Sequence, residues 1–464
     1  MAAEQNSIHG LWRNRWLFIL AATGSAVGLG NIWKFPYITG ENGGGAFVLV
    51  YLVCICLIGL PVMLAEVMLG RMGRQSPINT MRAIAKDAGA HKLWSGIGWM
   101  GAVAGFLILS FYSVIAGWAL AYIFRMAGGV FDGATAQVAE STFSNLIGNP
   151  EVLLAWHSIF MVLTIAVVAR GVNQGLEKAI RILMPMLFVL LFLLLGYALT
   201  SSGFAEGFSF LFSFDSSKLT ANSVVVAMGH AFFTLSLGLG AIMAYGAYMP
   251  SDVSIGKTIV LVGVLDTLVA LAAGLAIFPI VFANGLTPGE GPGLLFQTLP
   301  IAFGQMPGGT IFGTLFFVLI TFAAWSSSIS LAEPIVAWAV ESLGMSRASA
   351  ATWVGVAAWL LGLGTVLSFN LLSDFTFFGK TIFDSLDFLT TNILLPMGGL
   401  FIAIFVGWVM HKSDVQREVS MSNPLLFKAW LVLLKFIAPL AVILVLANGL
   451  VKSITDLSLI DYLM

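Results

Sequence analysis

Eleven runs of about twenty or more predominantly apolar residues follow one another along this chain, and a run of that length is what an α-helix needs to cross the roughly 30 Å hydrocarbon core of a bilayer. They fall near 15–39, 43–70, 94–126, 151–169, 178–200, 221–248, 257–283, 308–342, 349–370, 386–410 and 427–451. Only 9% of residues are charged, against about 25% in ordinary soluble domains, so the chain reads as an all-α membrane protein with the lipid bilayer as its surroundings. Its 21 basic and 22 acidic side chains nearly cancel, which gives nucleic acid nothing to bind. Cys54 and Cys56 sit two apart in one apolar run and point to different helix faces, so they read as filler rather than as a bridge or a metal site. Arg13 and Arg15 precede the first run as in a signal peptide, but that run is too long, contains Asn31 and Pro36, and lacks a small-residue cleavage pattern. It is expected to stay as the first span.

Most basic residues, among them Arg13, Arg71, Arg82, Arg170, Arg347 and Lys412, fall on one side if the N-terminus is cytoplasmic. The connections near 127–150, 284–306 and 371–385 carry Asp132, Glu140, Glu290, Asp374 and Asp384 but only Lys380 among lysines, and are expected outside. The chain is then a multi-pass protein of the inner (plasma) membrane with its C-terminus outside. The segment 284–306, rich in Gly and Pro with short apolar patches, reads either as a structured external lid or as a linker.

Two spans carry glycine clusters in mid-membrane: Gly24-Ser-Ala-Val-Gly-Leu-Gly-Asn31 in the first and Thr234-Leu-Ser-Leu-Gly-Leu-Gly240 in the sixth. Glycine costs about 1 kcal/mol against alanine in a helix interior. Irregular backbone at that depth is tolerated where it lines a cavity or is buried in protein; the competing use of such glycines is close helix packing. Recurrence of Gly-Leu-Gly in spans one and six predicts a 5+5 inverted-repeat transporter fold, with one further helix and with helices 1 and 6 unwound in mid-membrane. The expected organisation is one transporter domain over 1–451, with repeats at about 13–200 and 221–411 and helix 11 at about 427–451, followed by a tail at 452–464.

The run Gly24 to Tyr37, the stretch Glu41-Asn-Gly-Gly-Gly-Ala-Phe47, the motif Phe232 to Gly240, and Ser326-Ser-Ser328 with Glu333-Pro334 closely resemble the neurotransmitter:sodium symporter family, including its bacterial amino-acid transporters of the leucine-transporter fold. Eleven spans match the shorter bacterial members. The resemblance implies two sodium ions. One would be held by the Ala26 carbonyl, Asn31, Thr234, Asp266 and the substrate carboxylate; the other by carbonyls of Gly24, Val27 and Ala323 and hydroxyls of Ser326 and Ser327. Asp266 stands where relatives often have asparagine, so it is expected to supply the fixed negative charge that replaces chloride. Glu66 in span two is expected to brace the unwound part of span one.

By the same resemblance, amides of Leu29 and Gly30 and the Tyr112 hydroxyl would face the substrate carboxylate, and carbonyls near Phe233 and Ser236 its ammonium. Ile108, Phe233, Leu239 and Leu331 would form the apolar wall, with Ser25 and Ser327 nearby. A neutral, hydrophobic amino acid is the implied substrate, and Leu239, where the prototype has phenylalanine, leaves room for bulkier side chains. Lys34 and Asp387 match an outer gate adjoined by His230, a residue whose unperturbed pKa of about 6.5 would make the gate sensitive to pH. Trp12, Tyr248 and Glu341 match an inner latch whose arginine is replaced by His9, leaving Arg13 or Arg15 as substitutes or the latch weaker. The implied mechanism is sodium-driven import by alternating access. An osmolyte or amine carrier of the same fold is the rival within transport; an ion channel and an intramembrane enzyme are the rivals outside it. The scattered His9, His91, His157, His230 and His411 offer no cluster for an enzyme.

Overall fold

The computed structural model describes residues 8–286, 293–455 and 458–459. All regular elements among them are helical, apart from an isolated bridge between Phe377 and Lys380. Nine helices among the described residues are long and apolar enough to cross a bilayer: Gly45–Gly73, Lys92–Ala127, Pro150–Val168, Val172–Leu199, Ile255–Ala283, Gly309–Leu343, Arg347–Ser368, Ile382–Val409 and Pro424–Ser453. The pair Arg15–Ala26 and Gly30–Glu41, bent by 53°, makes a further crossing if taken as one span. The apolar helix Ala221–Thr234 is too short to cross alone and is followed, after an interruption at 235–240, by Ala241–Ala247. Each of the eleven apolar runs therefore has its helix or broken helix.

Local chemistry sets where these helices begin. The Asn14 side chain accepts the Leu17 amide at 3.0 Å, Asn149 accepts the amides of Glu151 and Val152 ahead of the first-turn Pro150, and Thr220 and Ser223 cap each other reciprocally. Each arrangement satisfies amides that have no partner inside their own helix. In the interior, the third span (Lys92–Ala127) and the eighth (Gly309–Leu343) make the most extensive helix contact. The second span meets Ala241–Ala247 backbone to backbone: a Cβ at Gly70 would stand 1.9 Å from the Met243 carbonyl oxygen. Small residues at such crossings are the membrane route to close packing. Large apolar side chains such as Val162, Phe192, Trp353 and Leu440 point outward, as a lipid-facing surface requires.

Part of the segment considered as a lid, 287–292 with Glu290 and Pro292, lies outside the described residues. The rest is no bare linker: Leu294–Thr298 and Leu299–Gln305 are helical, with Leu294, Leu295, Phe296, Leu299 and Phe303 buried. They are held by the Tyr122 hydroxyl donating to the Phe296 carbonyl at 2.9 Å and by Trp118 packed edge-on against Phe296. The last helix continues to Thr455, into the segment expected to be tail.

Candidate functional site

The first span stops being α-helical at Ala26. Val27 is extended, with ψ 103°, and the Gly28 amide, which a continuous helix would direct at the Gly24 carbonyl, donates to Asn31 Oδ1 at 3.2 Å instead. The Leu29 amide points towards the Tyr112 hydroxyl, 3.4 Å away. In the sixth span the interruption contains three residues in the left-handed region: Ser236 (φ 53°), Gly238 (φ 76°) and Gly240 (φ 70°). The two interruptions touch, because the Ser236 hydroxyl donates to the Ser25 carbonyl at 2.9 Å.

Glu66 supports the second interruption, not the first as the sequence suggested: its Oε2 accepts the Gly238 amide at 3.1 Å. The reason is the close crossing at Gly70, which carries the second span along the sixth and turns Glu66 towards it. A non-glycine residue at positive φ, as at Ser236, costs of order 1–3 kcal/mol and persists only where its surroundings impose it. Here they hold freed backbone against a cavity.

That cavity, about 240 Å³, lies between the interruptions and the third, eighth and tenth spans. Ser25, Leu29, Gly30, Ile108, Tyr112, Phe233, Ser236, Leu239, Ser327 and Leu331 all line it. So do Trp33, Tyr37, Phe111, Ile115 and Ser330, which sequence reasoning missed. Their signal was present, since each lies three or four residues from a named neighbour and therefore on the same helix face. Phe383, one turn from Asp387 on the tenth span, carried the same signal, whereas Leu395 of that span lies eight residues from Asp387 and carried none.

Two oxygen-rich clusters flank the cavity. Asp266, fully buried, accepts Asn31 Nδ2 at 2.8 Å and Thr234 Oγ1 at 3.1 Å, and no basic side chain among the described residues pairs with it. A lone buried carboxylate is costly in a medium of low polarity, and its neighbours are the oxygen donors that a hard cation prefers. In the other cluster Ser327 Oγ stands 3.4–3.5 Å from the carbonyl oxygens of Gly24, Ser25 and Val27. One hydroxyl donates only one hydrogen bond, and these distances are long for any, so acceptor capacity remains there. Ser326 Oγ and the Ala323 carbonyl are 3.0 Å apart in the same helix. Ala26, at the end of the first half-helix, lines the cavity.

The sequence pattern of the Sodium:neurotransmitter symporter family matches residues 9–132 and 140–463. This chain belongs to that family. It is 41% identical over 449 residues, 96% of this chain and 98% of the relative, to the uncharacterized sodium-dependent transporter YhdH of Bacillus subtilis (strain 168). It is 34% identical over 447 residues to an uncharacterized sodium-dependent transporter of Haemophilus influenzae, covering 95% and 98% of the two chains. The crystal structure of MhsT in complex with L-phenylalanine superimposes with a TM-score of 0.86 at 46% identity, covering 94% of this chain and 98% of that one. The protein is thus a multi-pass secondary transporter of the leucine-transporter fold, coupled to sodium, and not an enzyme.

In this symporter the residues matched to an inner latch are in contact at the end of the bundle near the N-terminus. Neither Arg13 nor Arg15 stands in for the missing arginine: Arg13 pairs with Glu177 at 3.3 Å, and Arg15 Nε donates to Thr258 Oγ1 at 3.1 Å. His9 itself reaches Glu341, with Nε2 2.9 Å from Oε1. Glu341 also accepts the Ser76 amide at 2.7 Å and Asn79 Nδ2 at 2.8 Å. Trp12 is buried under Tyr248, its amide bonded to the Tyr248 carbonyl at 2.9 Å and its indole N–H to the Tyr245 carbonyl. The Tyr248 hydroxyl donates to Glu333 at 2.6 Å, which pairs with Arg347.

At the opposite end no ion pair joins Lys34 and Asp387. Lys34 Nζ lies 4.1 Å from the centre of the Phe233 ring, and Asp387 accepts the Thr391 hydroxyl at 3.0 Å. His230 is buried, stacked on Phe35 at 6.0 Å and tilted against Tyr51 at 5.3 Å. The cavity reaches Lys34, Tyr37, Phe383 and Asp387, so it extends towards this end while the other is latched.

A Glu341→Gln substitution is expected to loosen the latch, since a charge-assisted hydrogen bond contributes about 1.5–3 kcal/mol. Hydrogen exchange at residues 9–24 should accelerate on the order of tenfold; unchanged protection there would show that His9 and Glu341 do not hold this end closed.

Proposed function

We infer that the protein is a sodium-coupled symporter that imports a neutral amino acid with a bulky apolar side chain, without requiring chloride. One observation carries this reading: a single cavity joins freed backbone amides and the Tyr112 hydroxyl at one end to apolar walls of Ile108, Phe233, Leu239 and Leu331, beside a buried carboxylate without a counter-charge. The amides and hydroxyl suit a carboxylate, because half-helix N-termini concentrate positive charge. Carbonyls near Phe233 and Ser236, both residues of the cavity lining, would receive the ammonium. The apolar walls favour aromatic or branched side chains, in keeping with the phenylalanine bound by the similar MhsT.

Two sodium ions are assigned as co-transported substrates. Asp266, Asn31, Thr234 and the Ala26 carbonyl would take the first, next to the substrate carboxylate, so that each ligand favours the other. Carbonyls of Gly24, Val27 and Ala323 with Ser326 and Ser327 would take the second, tying span one to span eight. Asp266 supplies the fixed negative charge that makes chloride dispensable. Ligands shift the protein towards occlusion only as far as they prefer that state; loss of the second sodium then frees the inner half of span one, and the end latched by His9 and Trp12 opens. We place that end in the cytoplasm, because Arg71, Arg82, Lys86, Arg170 and Lys412 gather there.

Melting temperature measured with each of the twenty amino acids, in sodium and in choline, tests the substrate class. Phenylalanine, leucine, tryptophan and methionine should stabilise in sodium alone, by about 2.7 kcal/mol at a hundred times Kd. Stabilisation by glycine betaine or an aromatic amine, with none by amino acids, would transfer the site to the rival carriers. Uptake in proteoliposomes with gluconate in place of chloride should be unchanged; a large fall would remove the role given to Asp266.

A further inference from the structure

A second cavity, about 930 Å³, opens between the 377–380 turn, the first turns of the tenth span and the end of the eleventh at Ser453. The turn is a tight hairpin, with Phe377 and Lys380 exchanging both backbone hydrogen bonds at 2.8 and 3.1 Å. It requires positive φ at Phe378 (50°) and Gly379 (74°). A bulky residue in that region is strained, and this one displays its ring: Phe378 is 89% exposed and Phe377 64%, their centroids 4.6 Å apart. Lys380 lines the cleft with its ammonium over the Phe388 ring at 5.2 Å. Of the nearby acids, Asp384 accepts the Thr381 hydroxyl at 2.7 Å, and neither it nor Asp374 lines the cleft.

The tenth span is a wall with two faces. Phe383 and Asp387, one turn apart, line the central cavity, whereas Ile382, Leu386, Leu389 and Ile393, also at helical spacing, line the cleft.

We propose that this cleft binds a membrane phospholipid, its acyl chain against the phenylalanines and its phosphate on Lys380, and that the bound lipid sets the position of the wall shared with the transport cavity. The occupant follows from position and charge. The turn joins two membrane-crossing helices and so lies at the bilayer boundary, where exposed apolar rings meet acyl chains and a lysine meets phosphate. Lys380 is the lysine of a connection whose other ionisable residues are acids, and among the described residues it is the charged one that lines the cleft.

The test is native mass spectrometry of the full-length protein titrated with phosphatidylglycerol, comparing wild type with Lys380→Glu and Phe378→Gly. Glycine suits the φ of 378, so the second variant removes the ring without a folding penalty. Wild type should retain one lipid at concentrations where each variant retains at least tenfold less. Equal retention by all three, or a Phe378-dependent dimer without lipid, would overturn the assignment, the dimer giving this face to a second copy of the chain. In the coupling arm, phosphatidylglycerol should raise the affinity of wild type, but not of Lys380→Glu, for L-phenylalanine in sodium several-fold; no response would overturn the control of the wall. The lipid count does not depend on which amino acid is carried, so its failure is separable from failure of the substrate reading.

Discussion

Replacing Asp266 with asparagine should abolish the stabilisation that sodium confers while leaving the sodium-free protein as stable as before, or more so. The side chain is fully buried and is met only by neutral donors, Asn31 and Thr234. Without a cation it is an uncompensated charge, and neutral replacement of such a group is often stabilising. With sodium present, the charged ligand contributes about 3 kcal/mol, on the order of 100-fold in apparent sodium affinity. Melting curves of both proteins across a sodium titration, with and without L-phenylalanine, read both signs at once. If the variant keeps the wild-type sodium response, Asp266 is no cation ligand and the coupling must be sought elsewhere.

The second large effect is expected at Gly238. Its φ of 76° disfavours any side chain, and a Cβ there would stand 2.4 Å from the Leu395 carbonyl oxygen and 3.0 Å from the Gly399 amide nitrogen, both rigid backbone of the tenth span. Gly238→Ala therefore combines left-handed strain of about 1–2 kcal/mol with overpacking of about 1–3 kcal/mol. It also displaces the amide that Glu66 holds. Gly89→Ala is the control, since it shares a positive φ of 63° but nothing lies within 4 Å of its Cβ. Gly238→Ala should lose about 3 kcal/mol more than the wild type and all sodium-dependent uptake, whereas Gly89→Ala should lose only about 1 kcal/mol. Equal melting temperatures for the two variants would mean that the sixth span's interruption does not depend on its contact with the tenth.

The membrane spans were legible because the bilayer imposes one length and one composition on every crossing helix. The two interruptions were legible because glycine clusters at that depth have few uses. Contacts between distant segments were less so. Glu66, expected at the first interruption, supports the second, since nothing local records that Gly70 brings its helix against the sixth span. Nothing in the order of residues shows that His9, at the position of the family arginine, lies buried against Glu341 and Tyr248. Ser330, Trp33 and Phe383 obey helical spacing from residues already named, whereas Leu395 comes from a helix more than 130 residues beyond the sixth span's interruption.

By itself, the amino-acid order determined which segments are long and apolar enough to cross a membrane and where the backbone of two of them stops being helical. Those are local properties, set by helix propensity and by the cost of polar groups in lipid. Only the tertiary structure decided which interruption Glu66 supports, that the two interruptions meet through Ser25 and Ser236, that His9 meets Glu341, and that the tenth span separates two cavities. Each depends on which helix faces meet, and that is settled by packing among all the spans together.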